Sequence, residues 1–124
     1  MICADTSSMV ALLGGEAGKD VQLLSQALTD GDLVLSHVTV TELLSDPDLP
    51  ALVEDSILTI PRLEITPGYW ERAGKLRAKA VRNRYRPKIA DTLIAQNCLD
   101  HDVSLITRDQ DFQAFHKLAG LRLL

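Results

Sequence analysis

A chain of 124 residues with 46% hydrophobic content carries enough apolar mass to bury a core without disulfides or a structural metal, and reads as one domain over residues 1–124. Its apolar runs are only a few residues long and MICADTSS lacks the basic and apolar regions of a signal peptide, so a membrane protein is excluded and a soluble, cytoplasmic one expected. The net charge of −4 argues against a polyanionic partner only as an average.

Met1-Ile2-Cys3-Ala4 predicts a buried strand that stops at Asp5; Thr6-Ser7-Ser8 follows as a polar turn, and Met9 to Leu13 as a helix ending at Gly14-Gly15. Asp5 therefore stands where open α/β sheets gather ligands, although capping the next helix is its plainer role. Val21, Leu24, Ala27 and Leu28 give an amphipathic helix from Gly18 to Thr29, closed by Asp30-Gly31. Leu33-Val34-Leu35 is a second strand, and Ser36 caps a helix from His37 to Leu44 on which Glu42 belongs to no clear face. After the turn Ser45 to Pro50, a short helix is expected at Ala51–Ser56, a third strand at Ile57–Ile60 and an extended piece at Leu63–Ile65. Tyr69 to about Asn83 is a basic helix whose buried side comprises Trp70, Ala73, Leu76, Ala80 and Val81.

Pro87 opens the helix Lys88–Cys98, with Ile89, Ala90, Leu93, Ile94, Ala95 and Cys98 as its apolar side and Lys88, Thr92 and Gln96 as its polar face. Val103–Ile106 is another strand, running into Thr107-Arg108-Asp109-Gln110-Asp111-Phe112, where Asp109 caps the helix bearing Phe112 and Phe115. Gly120–Leu124 forms a last edge strand. Strands alternating with helices predict an α/β fold, three layers of α/β/α around a parallel sheet of about four to five strands.

Asp91 precedes Ile94, Ala95 and Cys98 by helical spacings, which sets a carboxylate on an apolar side near a helix start. An unpaired buried charge is costly and needs a proton, a cation or donors. Asp5, Glu42 and Asp109 fall at or shortly after strand carboxyl ends, which converge on one edge of a parallel sheet, and Asp91 can face that edge. Carboxylates so gathered repel one another unless cations bind, and oxygen-only ligands favour Mg²⁺ or Mn²⁺ over zinc. Cys3 and Cys98 read as buried thiols, His37, His101 and His116 have no ligand spacing, and no Ser-His-Asp or Cys-His arrangement is present.

Segment 72–88 carries 8 of the 13 Lys and Arg and no acid, leaving 5 basic against 17 acidic residues elsewhere, a balance of −12. A cation, carboxylates and a basic strip together suit a phosphodiester substrate. A solvated helix face is the plain alternative for the strip.

Asp5-Thr6-Ser7, Ser36 through Glu42, Asp91-Thr92-Leu93-Ile94-Ala95 and Leu105 through Phe112 stand in an order and spacing that resemble the PIN-domain ribonucleases, specifically the VapC-like toxins of toxin–antitoxin pairs, over essentially the whole chain. The resemblance implies a Mg²⁺-dependent endoribonuclease, usually dimeric and inhibited by a cognate antitoxin. Carried over, Asp5 and Asp91 are the principal metal ligands, Glu42 and Asp109 complete the acidic pocket, and Thr6 and Thr107 position water or a carboxylate. Asp111 either supports a second ion or faces solvent, the latter being preferred. Arg82, Arg84, Arg86 and Lys88 lead into the Asp91 helix and are expected to guide RNA. The rival classes are a non-catalytic RNA-binding or interaction module and a receiver-like or dehalogenase-type phosphoryl-transfer domain.

Overall fold

A computed structural model describes residues 1–124. Its elements run β1 (Ile2–Ala4), α1 (Thr6–Leu13), α2 (Lys19–Asp30), β2 (Leu33–Leu35), α3 (His37–Leu44), α4 (Ala51–Thr59), α5 (Tyr69–Arg82), α6 (Ile89–His101), β3 (Ser104–Ile106), a 3₁₀ turn (Gln110–Phe112) and α7 (Gln113–Ala119). The sheet is parallel, in the order β2-β1-β3, with Cys3 opposite both Val34 and Leu105 and Ala4 opposite both Leu35 and Ile106.

The two-residue period of a strand sorts the core into two halves. Cys3, Val34 and Leu105 point to one face, where Leu76 and Ala80 of α5, Ile94, Ala95 and Cys98 of α6, and Phe112 and Phe115 pack. Ala4, Leu33, Leu35 and Ile106 point to the other, against Met9, Leu24, Ala27, Val40, Leu43 and Ile57 from α1 to α4. Helices on both faces make the three expected layers, and strands buried on both sides explain the unbroken apolar runs.

The sheet is narrower than expected. Ile57 to Thr59 completes α4, and a chain of β-branched and leucine residues that short suits a buried helix end as well as a strand. Instead of further strands, each edge receives one parallel bridging residue, Arg62 beside Leu35 and Leu123 beside Leu105. The polar Thr6-Ser7-Ser8 is already the first turn of α1, because Asp5 caps it.

On α5 the buried side is Tyr69, Ala73, Leu76 and Ala80, whereas Trp70 and Val81 are 61% and 50% exposed. These two sit roughly 100° around the helix from the buried stripe, at the mouth of a groove against α6. On α6 the expected polar face is largely covered: Thr92 and Gln96 are buried, while Ile89 is exposed. The Tyr69 hydroxyl donates to the Leu93 carbonyl at 2.6 Å, and the bidentate Arg72–Asp100 pair (3.0 and 2.7 Å) clamps α5 onto that side. Gln96 donates to the same Asp100 at 2.7 Å, so its burial leaves no amide hydrogen-bonding group stranded on that side. No helix is long and apolar enough to cross a membrane.

Candidate active site

The strand register brings Ala4, Leu35 and Ile106 level, so the residues that follow them, Asp5, Ser36 and Thr107, start from one edge. That edge lies at the sheet's topological switch, with β1 flanked by crossovers to either side. Asp5 is 4% exposed and fully engaged: Oδ1 accepts from the Ser8 amide (3.1 Å) and the Ser7 hydroxyl (2.7 Å), and Oδ2 from the Thr107 hydroxyl (2.7 Å). Burial pushes its pKa above the usual carboxylate value, against the opposing pull of the hydrogen bonds from Thr107, Ser7 and Ser8.

Asp91 is treated differently. Its Oδ2 is buried without a hydrogen-bond partner. Desolvation first, then the charge of Asp109, lifts its pKa from 3.8 to about 6; Asp5 and Glu42 add to the rise and Lys88 opposes it. Asp91 therefore senses the other three acids read from the sequence, and Asp5 senses Asp109. Carboxylate oxygens of Asp91, Asp109 and Asp111 come within 4.8 Å of one another, although Asp111 is exposed. Asp111 is exposed, as expected, yet its carboxylate reaches the cluster, where the Asp111 amide donates to Asp109 Oδ1 at 2.9 Å and folds the turn back. An orphaned buried oxygen beside two further carboxylates fits a hard divalent cation, which would satisfy the oxygen and cancel the repulsion.

Glu42 is exposed on α3 and accepts from the Thr6 hydroxyl at 2.6 Å. Thr107 links two acids, donating to Asp5 and accepting from the Asp109 amide at 2.9 Å.

The basic strip is narrower than the sequence implied. Arg72 is spent on Asp100, Arg77 donates to the Pro87 carbonyl (3.1 Å) and Lys79 to the Leu118 carbonyl (2.5 Å). Arg82, Arg84, Arg86 and Lys88 are exposed. Arg86 lines a small hollow of about 180 Å³ with Asp111, and shares a larger one of about 560 Å³ with Arg77 and Arg84. Lys88 acts on Asp91 through its charge. Arg82 instead lines the α5–α6 groove beside Trp70 and Ile89, apart from the acids.

A sequence model of the PIN domain family matches residues 2–118, nearly the whole chain. The chain belongs to the PIN domain family. Its fold is shared with chains in solved structures, among them VapBC2 from Rickettsia felis bound to a promoter DNA fragment (TM-score 0.76, 17% identity, covering 100% of this chain and 98% of that one). The same holds for FitAcB from Neisseria gonorrhoeae (0.73, 23%, 100% and 96%) and VapBC-1 from nontypeable Haemophilus influenzae (0.72, 19%, 100% and 97%). No curated protein matches the chain. Membership of the PIN domain family sets aside the receiver-like and dehalogenase-type readings.

Around this PIN domain's acidic edge, residue-type reasoning gave no role to Ser7, Asn97 or Arg108. Ser7 orients Asp5, and Asn97 Oδ1 accepts from the buried Ser36 hydroxyl at 2.8 Å, tying α6 to the start of α3. Nothing in the local sequence marks Asn97, since its role depends on a partner 61 positions away. Arg108 had one signal, a basic residue inside an acid-rich string.

Proposed function

We propose that this PIN domain is a divalent-cation-dependent endoribonuclease, the toxin of a toxin–antitoxin pair, acting as a homodimer held in check by a cognate antitoxin. The observation that carries the nuclease reading is that Asp91, whose Oδ2 is buried without a partner, brings a carboxylate oxygen within 4.8 Å of those of Asp109 and Asp111. A desolvated carboxylate with a pKa lifted to about 6 beside two further acids favours a cation site. The likeness to chains of VapBC and FitAB structures supports the toxin assignment.

Asp91, Asp109 and Asp111 would hold Mg²⁺ or Mn²⁺, with Asp5 and Glu42 completing the negative field. Bound there, the ion supplies Lewis-acid chemistry, lowering the pKa of water and neutralising charge that builds on the phosphate. The chain's own contribution is positional. Asp5 is locked in one rotamer by Ser7, Ser8 and Thr107, and Glu42 is steadied by Thr6, so the pocket keeps its shape without a ligand. Arg86 and Lys88 border the acids and attract RNA phosphates, with Arg84 beside Arg86 and Arg82 further along the strip. Hydrolysis in this reading is direct attack by water without a covalent enzyme intermediate, since the edge carries no Ser-His-Asp or Cys-His arrangement.

The test is cleavage of a fluorogenic RNA by purified protein with and without Mg²⁺ or Mn²⁺, alongside Asp91→Asn, with the product ends sequenced. Metal-dependent cutting that the variant loses is the expected result; undiminished cutting by the variant removes Asp91 from the mechanism. Binding of RNA without any metal-dependent cutting favours a non-catalytic module.

A further inference from the structure

The Thr107–Asp111 segment poses a mechanical problem. It leaves β3 and at once carries two acids to within 4.8 Å of Asp91, whose charge opposes that of Asp109. Hydrogen bonds inside the segment, from the Asp109 amide to Thr107 Oγ1 and from the Asp111 amide to Asp109 Oδ1, shape it but do not anchor it against that repulsion. Arg108 stands between Thr107 and Asp109 with its side chain turned to the opposite side. Its guanidinium makes a fork to Asp20, Nε to Oδ2 at 2.6 Å and Nη2 to Oδ1 at 3.0 Å. Nη2 also donates to the Ala17 carbonyl at 3.0 Å, and Nη1 to Glu16 at 3.3 Å. The whole charge of Arg108 is thus directed onto the connection between α1 and α2, some ninety positions earlier in the chain.

Two independent features show that this contact is built into the fold. Gly18 has φ +150°, a conformation that favours glycine, and a Cβ there would lie 2.5 Å from Asp20 Oδ1 and 2.9 Å from Arg108 Nη2, so a side chain at position 18 would be strained and would press on the ion pair. The Arg108 amide, for its part, donates to Ser7 Oγ at 3.0 Å, and that hydroxyl donates on to Asp5 Oδ1 at 2.7 Å. One residue therefore grips the α1–α2 connection through its side chain and the Asp5 network through its backbone. An isolated exposed pair contributes little, but a bidentate fork with two further acceptors, its arginine 34% and its aspartate 21% exposed, belongs to the networked minority that does.

We propose that Arg108 is a positioning residue: clamped onto Asp20, Glu16 and the Ala17 carbonyl, it holds the Thr107–Asp111 segment against the repulsion of its own acids and keeps Asp109 and Asp111 in register with Asp91 for cation binding. The second half rests on the cation site proposed above; the first does not.

The experiment compares wild type with Arg108→Gln, Arg108→Lys and Asp20→Asn by two readouts. In metal-free protein, amide hydrogen exchange at Asp109 and Asp111 is expected to quicken about tenfold in Arg108→Gln and Asp20→Asn, and by less in the lysine variant, which keeps the charge but loses the fork. In Mn²⁺ titration followed by calorimetry, the same two variants are expected to bind about tenfold more weakly, and a double Arg108→Gln/Asp20→Asn variant no more weakly than either alone. Unchanged exchange overturns the clamp whatever the protein's activity. Faster exchange with wild-type Mn²⁺ affinity overturns the positioning role and leaves Arg108 a local brace. If wild type itself binds no Mn²⁺ while exchange responds as expected, the cation site fails and the clamp stands.

Discussion

Asp5 and Asp91 face the same edge of the same sheet, and the protein builds them in opposite ways. Asp5 is nearly inaccessible, yet three donors fix its oxygens, one of them the amide of the helix it caps. Asp91 is more open overall but has one oxygen sealed in without any donor. Hydrogen bonds make a buried carboxylate tolerable by stabilising its charge; withholding them leaves a group whose ionised form is unfavourable until something else arrives. Asp5 is thus held by donors at both oxygens, and Asp91 keeps one oxygen without any.

The two-residue contrast predicts different failures. Asp91→Asn should cost about a thousandfold in metal-dependent cleavage, roughly 4 kcal/mol of transition-state stabilisation, while leaving the melting temperature of the metal-free protein unchanged or higher. Asp5→Ala should lose cleavage and also about 1–2 kcal/mol of stability, through the lost α1 cap and the stranded Ser7 and Thr107 hydroxyls. Calorimetric melting beside a cleavage assay separates them, and equal loss of stability in both variants would erase the distinction.

Stability against pH sharpens it further. A folded-state pKa raised from 3.8 to about 6 means that the folded protein holds the Asp91 proton more tightly than the unfolded chain does. Metal-free wild type should therefore lose stability as pH rises from about 4 to 6, by about 1 kcal/mol once solvent screening is allowed for. Asp91→Asn should show a flatter profile over that window, and added Mn²⁺ should restore the wild type above it.

Replacing Arg82, Arg84, Arg86 and Lys88 together by Gln is expected to weaken RNA binding and reduce its salt dependence by up to about 3 in log–log slope, measured by fluorescence anisotropy. An unchanged slope returns the strip to a solvated surface. The smallest effect belongs to Thr6→Val, which frees Glu42 from its donor and should slow cleavage by several-fold without altering RNA affinity.

Much of this was legible because local signals and global fold agree. Each strand is an apolar run that ends abruptly at a polar residue, so Asp5, Ser36 and Thr107 announced the edge on which the acids meet. Ile57–Ile60 misled because a short run of β-branched and leucine residues fits a strand and a buried helix end equally. Trp70 and Val81 misled because apolar spacing cannot tell a core stripe from a groove lip. Thr92 and Gln96 became buried only because α5 closes over that side of α6.

The sequence alone determined the three strands β1 to β3, the carboxylates that follow them and the basic run before α6, since each depends on residues near one another in the chain. Tertiary structure decided which carboxylates are satisfied and which is not. It drew Asp111 to Asp91, spent Arg72, Arg77 and Lys79 on the scaffold, and sent Arg108 to Asp20. Burial and hydrogen-bond partners are set by segments distant in the chain, and they separate a carboxylate held by donors from one with an oxygen left unpartnered.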